Sequence, residues 1–198
     1  FFKRKFLYMY IHFGNKELNE FTSTEFQLEN GLNIKIDDSS KTAGVILSTE
    51  TDEDVFIPKY FEHQSKQYII KYIDTKAFHL NKNIKSITFS EDSEIETIKD
   101  KAFSYSSIEK LSIPASLVDL RKDWCCSSTK LNQIIIDPRN QHFIMTNEKL
   151  MIGKSNLNSN FDVIVFACRD IGEVVDIPNN IVRIAPHAFS GCNKMKMV

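Results

Sequence analysis

The histidines of the chain are the residues that could most readily hold a metal ion. Metal sites built from histidine need close pairs, such as the two histidines of His-Glu-x-x-His. The five histidines stand singly along the sequence, at His12, His63, His79, His142 and His187. We therefore expect them on the surface or in turns, and we predict no metal site and no cofactor.

The cysteines are the candidates for nucleophilic, redox or zinc chemistry. None of the four has the Cys-x-x-Cys spacing of a zinc site or a redox motif; they are Cys125, Cys126, Cys168 and Cys192. Because a free cysteine packs as a small hydrophobic residue, buried thiols are expected ahead of disulfides. Cys125 occupies the last position of a six-residue motif that recurs in the chain and ends in phenylalanine in its other copies. This favours a buried side chain over a nucleophile.

Two further motifs have part of the pattern of a ligand site. The Gly-Lys-Ser at 153–155 matches the end of a phosphate loop, but Glu148 stands where that loop needs its first glycine. The acidic runs Glu50–Asp54 and Glu91–Glu94 lack the alternating ligands and the glycine of an EF-hand loop, which favours solvated turns. With no Gly-x-Ser-x-Gly elbow either, the sequence predicts a protein that is not an enzyme.

The charge of the chain is nearly balanced, with 25 basic and 26 acidic residues. No net field would attract it to nucleic acid or to an anionic membrane, and neither partner is predicted. The longest uncharged run near the start, Phe6–Ile11, is too short for a signal-peptide core or a membrane span. We expect Phe1–Phe13 to be a core strand or part of an upstream element. The chain lacks an initial Met and ends soon after an Ala-Phe pair, which indicates a fragment.

A six-residue phrase that begins with Ile and ends in Ala-Phe recurs along the chain. It stands at 73–78, 98–103 and 184–189, and a fourth copy at 120–125 begins with Leu and ends in Trp-Cys. The first two copies start 25 residues apart, and the copy at 120 starts 22 residues after the second. A period of about 20 to 29 residues is typical of leucine-rich repeats.

Short stretches of alternating apolar residues lie between the phrases and predict strands with one buried face. They are 55–57, 87–89, 111–113, 134–136 and 175–177. Proline follows three of these stretches and marks where the hydrogen bonding between strands would stop, because proline has no N–H to donate. Ser90 follows the second stretch instead.

The repeated unit thus consists of a strand, a turn, a second short extended piece and an Ala-Phe corner. One unit cannot bury its own apolar side, so neighbouring units are expected to stack with Ile on Ile and Phe on Phe. We predict a mostly β fold, a right-handed leucine-rich-repeat solenoid with short 3-10 or one-turn helical corners and an N-terminal β cap. Phe78, Phe103, Cys125 and Phe189 should form one column. The alternative is an ordinary β-sandwich, which the recurrence of the whole phrase disfavours.

Two stretches fall outside the regular repeat. Residues 1–53 are predicted to form a small β cap over the first coil. Residues 137–170 are predicted to form an expanded coil, with strands at 149–152 and 162–166 joined by a turn-rich loop. The solenoid is expected to span 54–198, with about five coils, and to be truncated at its C-terminus.

Several phrases carry a family resemblance in combination: Ile113-Pro114, Ile177-Pro178 with the Asn180–Ile184 segment, and Ala188-Phe-Ser-Gly-Cys192. In this combination the chain resembles the BspA-like leucine-rich-repeat family over about residues 26–198, including the leader and the expanded coil. The resemblance implies a surface-associated or secreted protein of host-associated microbes, often credited with adhesion, and it carries over no catalytic residues. Trp124-Cys125 and Phe89-Ser90 depart from the family pattern without threatening the fold.

A solenoid presents, on its concave sheet, the residues that alternate with the buried ones. This set, the strand-face strip, consists of Asp54, Phe56, Ser86, Thr88, Lys110, Ser112, Gln133, Ile135, Val174 and Asp176. Exposed apolar residues among polar neighbours fit contact with a protein better than recognition of phosphate or sugar. The alternative is that they are only strand-compatible surface residues.

Two hypotheses for function follow from these patterns. The first is a non-enzymatic binding module, secreted or displayed at the cell surface, that mediates adhesion by recognising a protein partner through the strand-face strip. The partner would be a host or matrix protein or another cell-surface protein. The alternative is a cytoplasmic structural scaffold, which the unpaired spacing of the cysteines and the absence of an Asn-x-Ser/Thr sequon favour. We predict no membrane insertion within these residues.

Overall fold

The computed structural model describes residues 24–147, 149–156 and 158–196, and within these ranges the secondary structure consists of strands and turns. The expectation for Phe1–Phe13 lies outside the described residues. The strands are β1 Glu25–Gln27, β2 Asn33–Asp37, β3 Thr42–Ile46, β4 Asp54–Ile57, β5 Tyr60–His63, β6 Lys66–Ile73, β7 Ser86–Phe89, β8 Thr97–Ile98, β9 Lys110–Ile113, β10 Asp119–Leu120, β11 Gln133–Ile136, β12 Phe143–Met145, β13 Leu150–Lys154, β14 Phe161–Ala167 and β15 Arg183–Ile184. No helix in the described ranges is long and apolar enough to cross a membrane.

Four parallel strands form a sheet in the order β11-β9-β7-β4, with one strand from each of four successive coils. Their second residues lie in register and are buried: Val55, Ile87, Leu111 and Ile134. The strands β6, β8 and β10 form a second parallel series, which is the predicted second extended piece. The chain is therefore a β-solenoid of about four turns, which confirms the predicted fold class.

The leader forms an antiparallel meander of β1, β2 and β3. Its last strand then pairs in parallel with β6, and Val45 lies opposite Ile73 in that pairing. The meander thus continues the second parallel series and covers the first coil, since both Val45 and Ile73 are fully buried. A separate domain with a boundary at 53 stays a prediction.

The corners are series of turns closed by backbone hydrogen bonds over three residues. In the first corner the N–H groups of Ala77 and His79 donate to the carbonyls of Asp74 and Lys76 at 3.1 and 3.0 Å. This bonding has the spacing of a 3-10 helix, but Lys76 has a φ of 60°. A left-handed residue interrupts a 3-10 helix, so the predicted helical corner takes the form of consecutive turns.

An aromatic column runs through the corners and differs in part from the predicted one. Phe78 stacks on Phe103, and Trp124 meets the Phe103 ring edge-on at a centroid distance of 6.2 Å. Phe166 follows at 5.4 Å from Trp124. Cys125 is buried beside the column, but the neighbouring Trp124 supplies the ring. The prediction for the column's third member was therefore wrong, because the large ring fills the space that a thiol would leave empty.

The predicted fourth member of the column, Phe189, packs elsewhere. It lies against a second apolar cluster formed by the expanded coil and the last corner. Residues 161–169 separate that corner from the preceding one: Ala167 donates its N–H to the carbonyl of Ala188 at 3.0 Å. The buried Arg169 also donates to this carbonyl at 3.0 Å and lies over the ring of Phe166. Because residues 161–169 lie between the two corners, Phe166 and not Phe189 is next to Trp124.

A buried polar residue stands three positions after the end of each of three phrases, at Asn81, Ser106 and Ser128. The Asn81 side chain donates to the carbonyl of Ser48 at 2.8 Å and to the hydroxyl of Thr51 at 3.0 Å. Its oxygen accepts two backbone N–H groups of the next turn, each at 3.0 Å. All four hydrogen bonds of the amide are made, so its burial leaves no polar group without a partner.

The strands predicted at 149–152 and 162–166 are found as β13 and β14, which pair in antiparallel. β12 adds to β13, and β15 pairs in parallel with β14. The strand predicted at 175–177 does not form, since only Val174 makes an isolated bridge. In the regular repeat this strand would pair with its predecessor, but β12 of the expanded coil lies beside β11 instead.

Candidate functional site

The four-stranded sheet brings eight of the ten strand-face strip residues together. In the first row Asp54 lies opposite Ser86, Ser86 opposite Lys110, and Lys110 opposite Gln133. The second row contains the pairs Phe56 with Thr88 and Ser112 with Ile135. Neighbouring strands lie about 4.8 Å apart, so each row crosses about 15 Å of the surface.

The two ends of the strip are apolar and its middle is polar. Phe56 is 51% exposed on the first strand and Ile135 is 43% exposed on the last. The half-buried hydroxyls of Thr88 and Ser112 lie between them. Large exposed apolar side chains separated by small hydroxyl groups can pack against another protein surface while the hydroxyls form hydrogen bonds.

Charges of both signs lie at the edge of the strip where its strands begin. Asp54 accepts a hydrogen bond from the hydroxyl of Ser86 at 2.5 Å. Next to it, Lys85 and Glu53 form an ion pair at 2.7 Å, and the hydrogen bond to Glu53 raises the pKa of Lys85. The charges of both signs largely cancel at this edge, so they give little net field to attract a phosphate.

A pocket of about 180 Å³ opens at the edge of the strip where its strands end, beside Ile135 and Ser112. Phe89 and Pro114 line it, together with Ser90, whose hydroxyl oxygen is buried with no hydrogen-bond partner in the described part of the chain. Ser90 follows β7 at the place where proline follows β4 and β9. The absence of proline at this place was visible in the sequence, but the pocket was not predicted.

The rim of this pocket is fixed by an ion pair between Arg139 and Asp137. Their side chains approach to 2.7 Å, and the same guanidinium donates to the backbone carbonyl of Glu91 at 2.9 Å. The hydrogen bonds from Arg139 lower the pKa of Asp137 to about 2. The Arg139 side chain, which is paired with Asp137 on the fourth coil, thus connects that coil to the second coil across the third.

The other two strip residues lie apart from the sheet. Val174 is 66% exposed and Asp176 is exposed, and both line a separate depression of about 300 Å³ with Lys149 and Asp170. The strand that would place them on the sheet does not form. The structure therefore brings together the strip residues of the four regular coils and leaves these two outside.

The thiols have the properties of buried structural groups. All four cysteines are free, and only Cys126 is partly exposed. Burial raises the pKa of Cys125 to about 12 and that of Cys168 to about 11. Thiols with such pKa values remain protonated and are poor nucleophiles near neutral pH.

The described histidines lie at separate places in the fold. His79 packs edge-on against Tyr105, and His187 lies 3.3 Å from Asp123. Among residues 24–147, 149–156 and 158–196, no three His, Cys, Asp or Glu side chains come together as metal ligands. Gly153 and Lys154 belong to strand β13 and form no loop.

Comparisons with known proteins identify the repeat. The model of the BspA type leucine rich repeat region, in six copies, matches residues 49–161 and 162–198. No curated protein matches the chain significantly.

Solved structures of leucine-rich-repeat proteins are similar to the chain at low identity. The crystal structure of the pneumococcal vaccine antigen PcpA is 14% identical, with 83% of this chain and 61% of that chain covered and a TM-score of 0.46. A leucine rich cell surface protein from Faecalibacterium prausnitzii A2-165 is 13% identical, with 86% and 69% covered and a TM-score of 0.43. A leucine-rich repeat protein from Bacteroides capillosus ATCC 29799 is 14% identical, with 89% and 99% covered and a TM-score of 0.40. The chain thus spans 61% of the length of the pneumococcal protein's chain.

Proposed function

The chain belongs to the BspA-type leucine-rich-repeat family, and from this premise we propose that it is a non-enzymatic binding module that recognises a protein partner through the strand-face strip. Display at the cell surface or secretion, with adhesion to a host, matrix or cell-surface protein, is the role that goes with this proposal. Recognition would rest on shape and side-chain complementarity and would need no cofactor.

The observation that carries the proposal is the register of the strip across four strands. Phe56 and Ile135 are more than 40% exposed at the two ends of one rigid surface. A parallel sheet fixes the distance between such anchors before a partner arrives, which lowers the entropic cost of binding. Aromatic and aliphatic anchors inside a polar rim are the side chains that dominate the energy of protein interfaces.

The pocket beside Ile135 gives the strip a place for one inserted side chain. Its volume of about 180 Å³ accommodates an aliphatic or aromatic side chain of a partner. Such a side chain could reach the hydroxyl of Ser90, which has no partner in the described part of the chain. We place the centre of the interface between Phe56 and this pocket. Because a stable interface buries about 800 Å² on each partner, contacts must extend beyond the eight strip residues of the sheet.

The experiment compares the chain with a strip variant and a matched surface variant. The strip variant combines Phe56→Ser, Lys110→Ser and Ile135→Ser. The matched surface variant combines Leu47→Ser, Leu80→Ser and Lys130→Ser. Leu47 and Leu80 are 51% and 52% exposed, so both variants remove similar exposed surface. Binding to a panel of purified extracellular-matrix proteins is measured by biolayer interferometry, with circular dichroism as the check on folding.

We expect one or more matrix proteins to bind, and the strip variant to bind at least about tenfold more weakly. The matched variant should keep the affinity of the unmodified chain. Equal binding by the strip variant and the unmodified chain, or an equal loss in both variants, would contradict the strip as the binding surface.

A second candidate is a cytoplasmic structural scaffold, which the four free cysteines favour. Disulfides are uncommon in the cytosol and common in exported proteins. Thiol titration of protein isolated without reductant, native and then unfolded, separates the two candidates in part. Four reactive thiols after unfolding agree with the scaffold, and fewer would favour export.

A further inference from the structure

The second parallel series, β6-β8-β10, ends at β10 with one edge unpaired in the described part of the chain. Toward β8, the N–H groups of Asp119 and Arg121 donate to backbone carbonyls at 3.1 and 2.9 Å. Alternate residues of a strand face opposite neighbours, so the N–H and C=O of Leu120 point away from β8. The regular repeat would place another strand there, but β14 pairs with β13 and β15 instead.

A cleft of about 350 Å³ lies on this open side of β10, between β10 and the sheet of the expanded coil. Much of its lining is apolar and comes from Leu120, Trp124, Phe143, Val163 and Val165. Trp124, Phe143 and Val163 are buried, so the bottom of the cleft is formed by packed core residues. The cleft therefore has a preformed apolar bottom next to a free strand edge.

The sides of the cleft are positively charged. Two of its basic side chains have acidic partners: Arg121 pairs with Asp119 at 2.5 Å, and His187 lies 3.3 Å from Asp123. The remaining three have no carboxylate within ion-pair distance in the described part of the chain; they are Lys122, Lys154 and Arg183. The Nζ atom of Lys154 lies over the ring of Phe161, 4.9 Å from its centroid.

We propose that this cleft binds an extended acidic segment of a partner protein, which adds a strand to the free edge of β10. The main chain of the segment would exchange hydrogen bonds with Leu120, as in other cases of strand addition. Side chains alternate along a strand, so apolar residues would face Val165 and the cleft bottom while acidic residues face Lys154 and Arg183.

The strand edge favours a peptide over a small anion or a sulfated sugar. A free anion would use the three cations but would leave the apolar bottom and the Leu120 N–H without partners. The cleft lies on the second parallel series, away from the strand-face strip. The proposal therefore stands or fails independently of binding at that strip.

The test uses a fluorescein-labelled octapeptide of alternating Val and Glu as the probe, read by fluorescence anisotropy at low and at raised salt. Three matched probes accompany it: the same peptide with Lys in place of Glu, a peptide N-methylated at alternate residues on one edge, and a heparin-derived oligosaccharide. The protein variants are Lys154→Glu with Arg183→Glu at the cleft, and Lys130→Glu with Lys194→Glu as a control of equal charge change. Lys130 and Lys194 are exposed and do not line the cleft.

We expect the Glu peptide to bind and the Lys peptide not to bind. The cleft variant should weaken binding about tenfold or more, and the control variant by less than about threefold. N-methylation of the bonded edge should weaken binding without any change to the protein. Lack of binding by the Glu peptide, equal binding after N-methylation or in the cleft variant, or binding of the oligosaccharide alone would overturn the proposal. If the cleft variant proves unfolded, Lys154→Gln with Arg183→Gln takes its place.

Discussion

The ring of Phe78 lies parallel to the ring of Phe103, with an interplanar angle of 2° and a centroid distance of 5.1 Å. The backbone repeats this relationship, since the Phe78 N–H donates to the carbonyl of Ala102 at 2.7 Å. Equivalent residues of neighbouring coils therefore touch through both their main chains and their side chains. Each coil is stabilised chiefly by its neighbours, and the strand-face strip depends on this stacking for its register.

Replacing Phe103 with Ala should destabilise the protein strongly. Its ring is fully buried between Phe78 and Trp124, so truncation leaves a cavity that three coils share. We expect a loss of about 3 to 5 kcal/mol in the free energy of unfolding, measured by urea denaturation. Leu47→Ala, at a side chain 51% exposed, should change it by less than about 0.5 kcal/mol. Similar losses in both variants would contradict the column.

Gly31→Ala tests the close contact between the turn that joins β1 to β2 and the segment that leads into β4. Gly31 has a φ of +79°, and a Cβ added there would lie 2.0 Å from the carbonyl oxygen of Glu50. We expect a loss of at least about 2 kcal/mol from backbone strain and steric overlap together. Gly172 is the matched control, because its added Cβ would meet nothing closer than 3.6 Å. Gly172→Ala should stay within about 1 kcal/mol of the unmodified protein in the same denaturation experiment.

Asn81→Leu should destabilise the first corner despite the similar size of the side chain. The substitution removes four hydrogen bonds and leaves the carbonyl of Ser48 and two backbone N–H groups without the Asn81 partner. Buried polar groups without partners cost about 1 to 3 kcal/mol each, so we expect a loss of about 3 kcal/mol. Thermal unfolding of Asn132→Leu, at an exposed position, is the comparison and should be close to the unmodified protein. If Asn81→Leu unfolds at the same temperature as the unmodified protein, the hydrogen bonds of the Asn81 amide do not stabilise the corner.

The stability contributed by Asp137 should depend on pH. Its pKa of about 2 lies below the usual 3.8 because Arg139 donates to the carboxylate. A carboxyl whose pKa is lowered by folding stabilises the fold above its ordinary pKa, and this contribution is lost as the pH falls toward 2. The stability difference between the unmodified protein and Asp137→Asn should therefore shrink over that window. In Arg139→Gln, the pKa of Asp137 measured by carbon NMR should rise toward its ordinary value; an unchanged pKa would contradict the ion pair.

The sequence predicted the parts of the fold that repeat. Recurring phrases and alternating apolar residues located the four strands of the main sheet and the hairpin of β13 and β14. The same alternation placed eight strip residues on one face, because side chains on a strand have a period of two. These predictions needed only local spacing and the assumption that equivalent residues stack.

The parts that failed or were missed depend on contacts between nonequivalent residues. Trp124 replaces Cys125 in the ring column because volume, not position in the phrase, decides which side chain fills the space. The strand at 175–177 fails because the expanded coil takes its place beside β11. The pocket at Ser90 lies where a proline is absent, which the sequence showed, and the cleft beside β10 lies where a strand is absent, which it did not show. The shape of neither follows from local spacing.

The most direct test of coil stacking is a nuclear Overhauser experiment on protein with labelled aromatic residues. Ring protons of Phe78 should show cross-peaks to those of Phe103, and ring protons of Phe103 to those of Trp124, since the centroids lie 5.1 and 6.2 Å apart. Observation of both sets is the result that stacked coils predict. Assigned spectra in which neither pair shows a cross-peak would contradict the solenoid and the surface built on it.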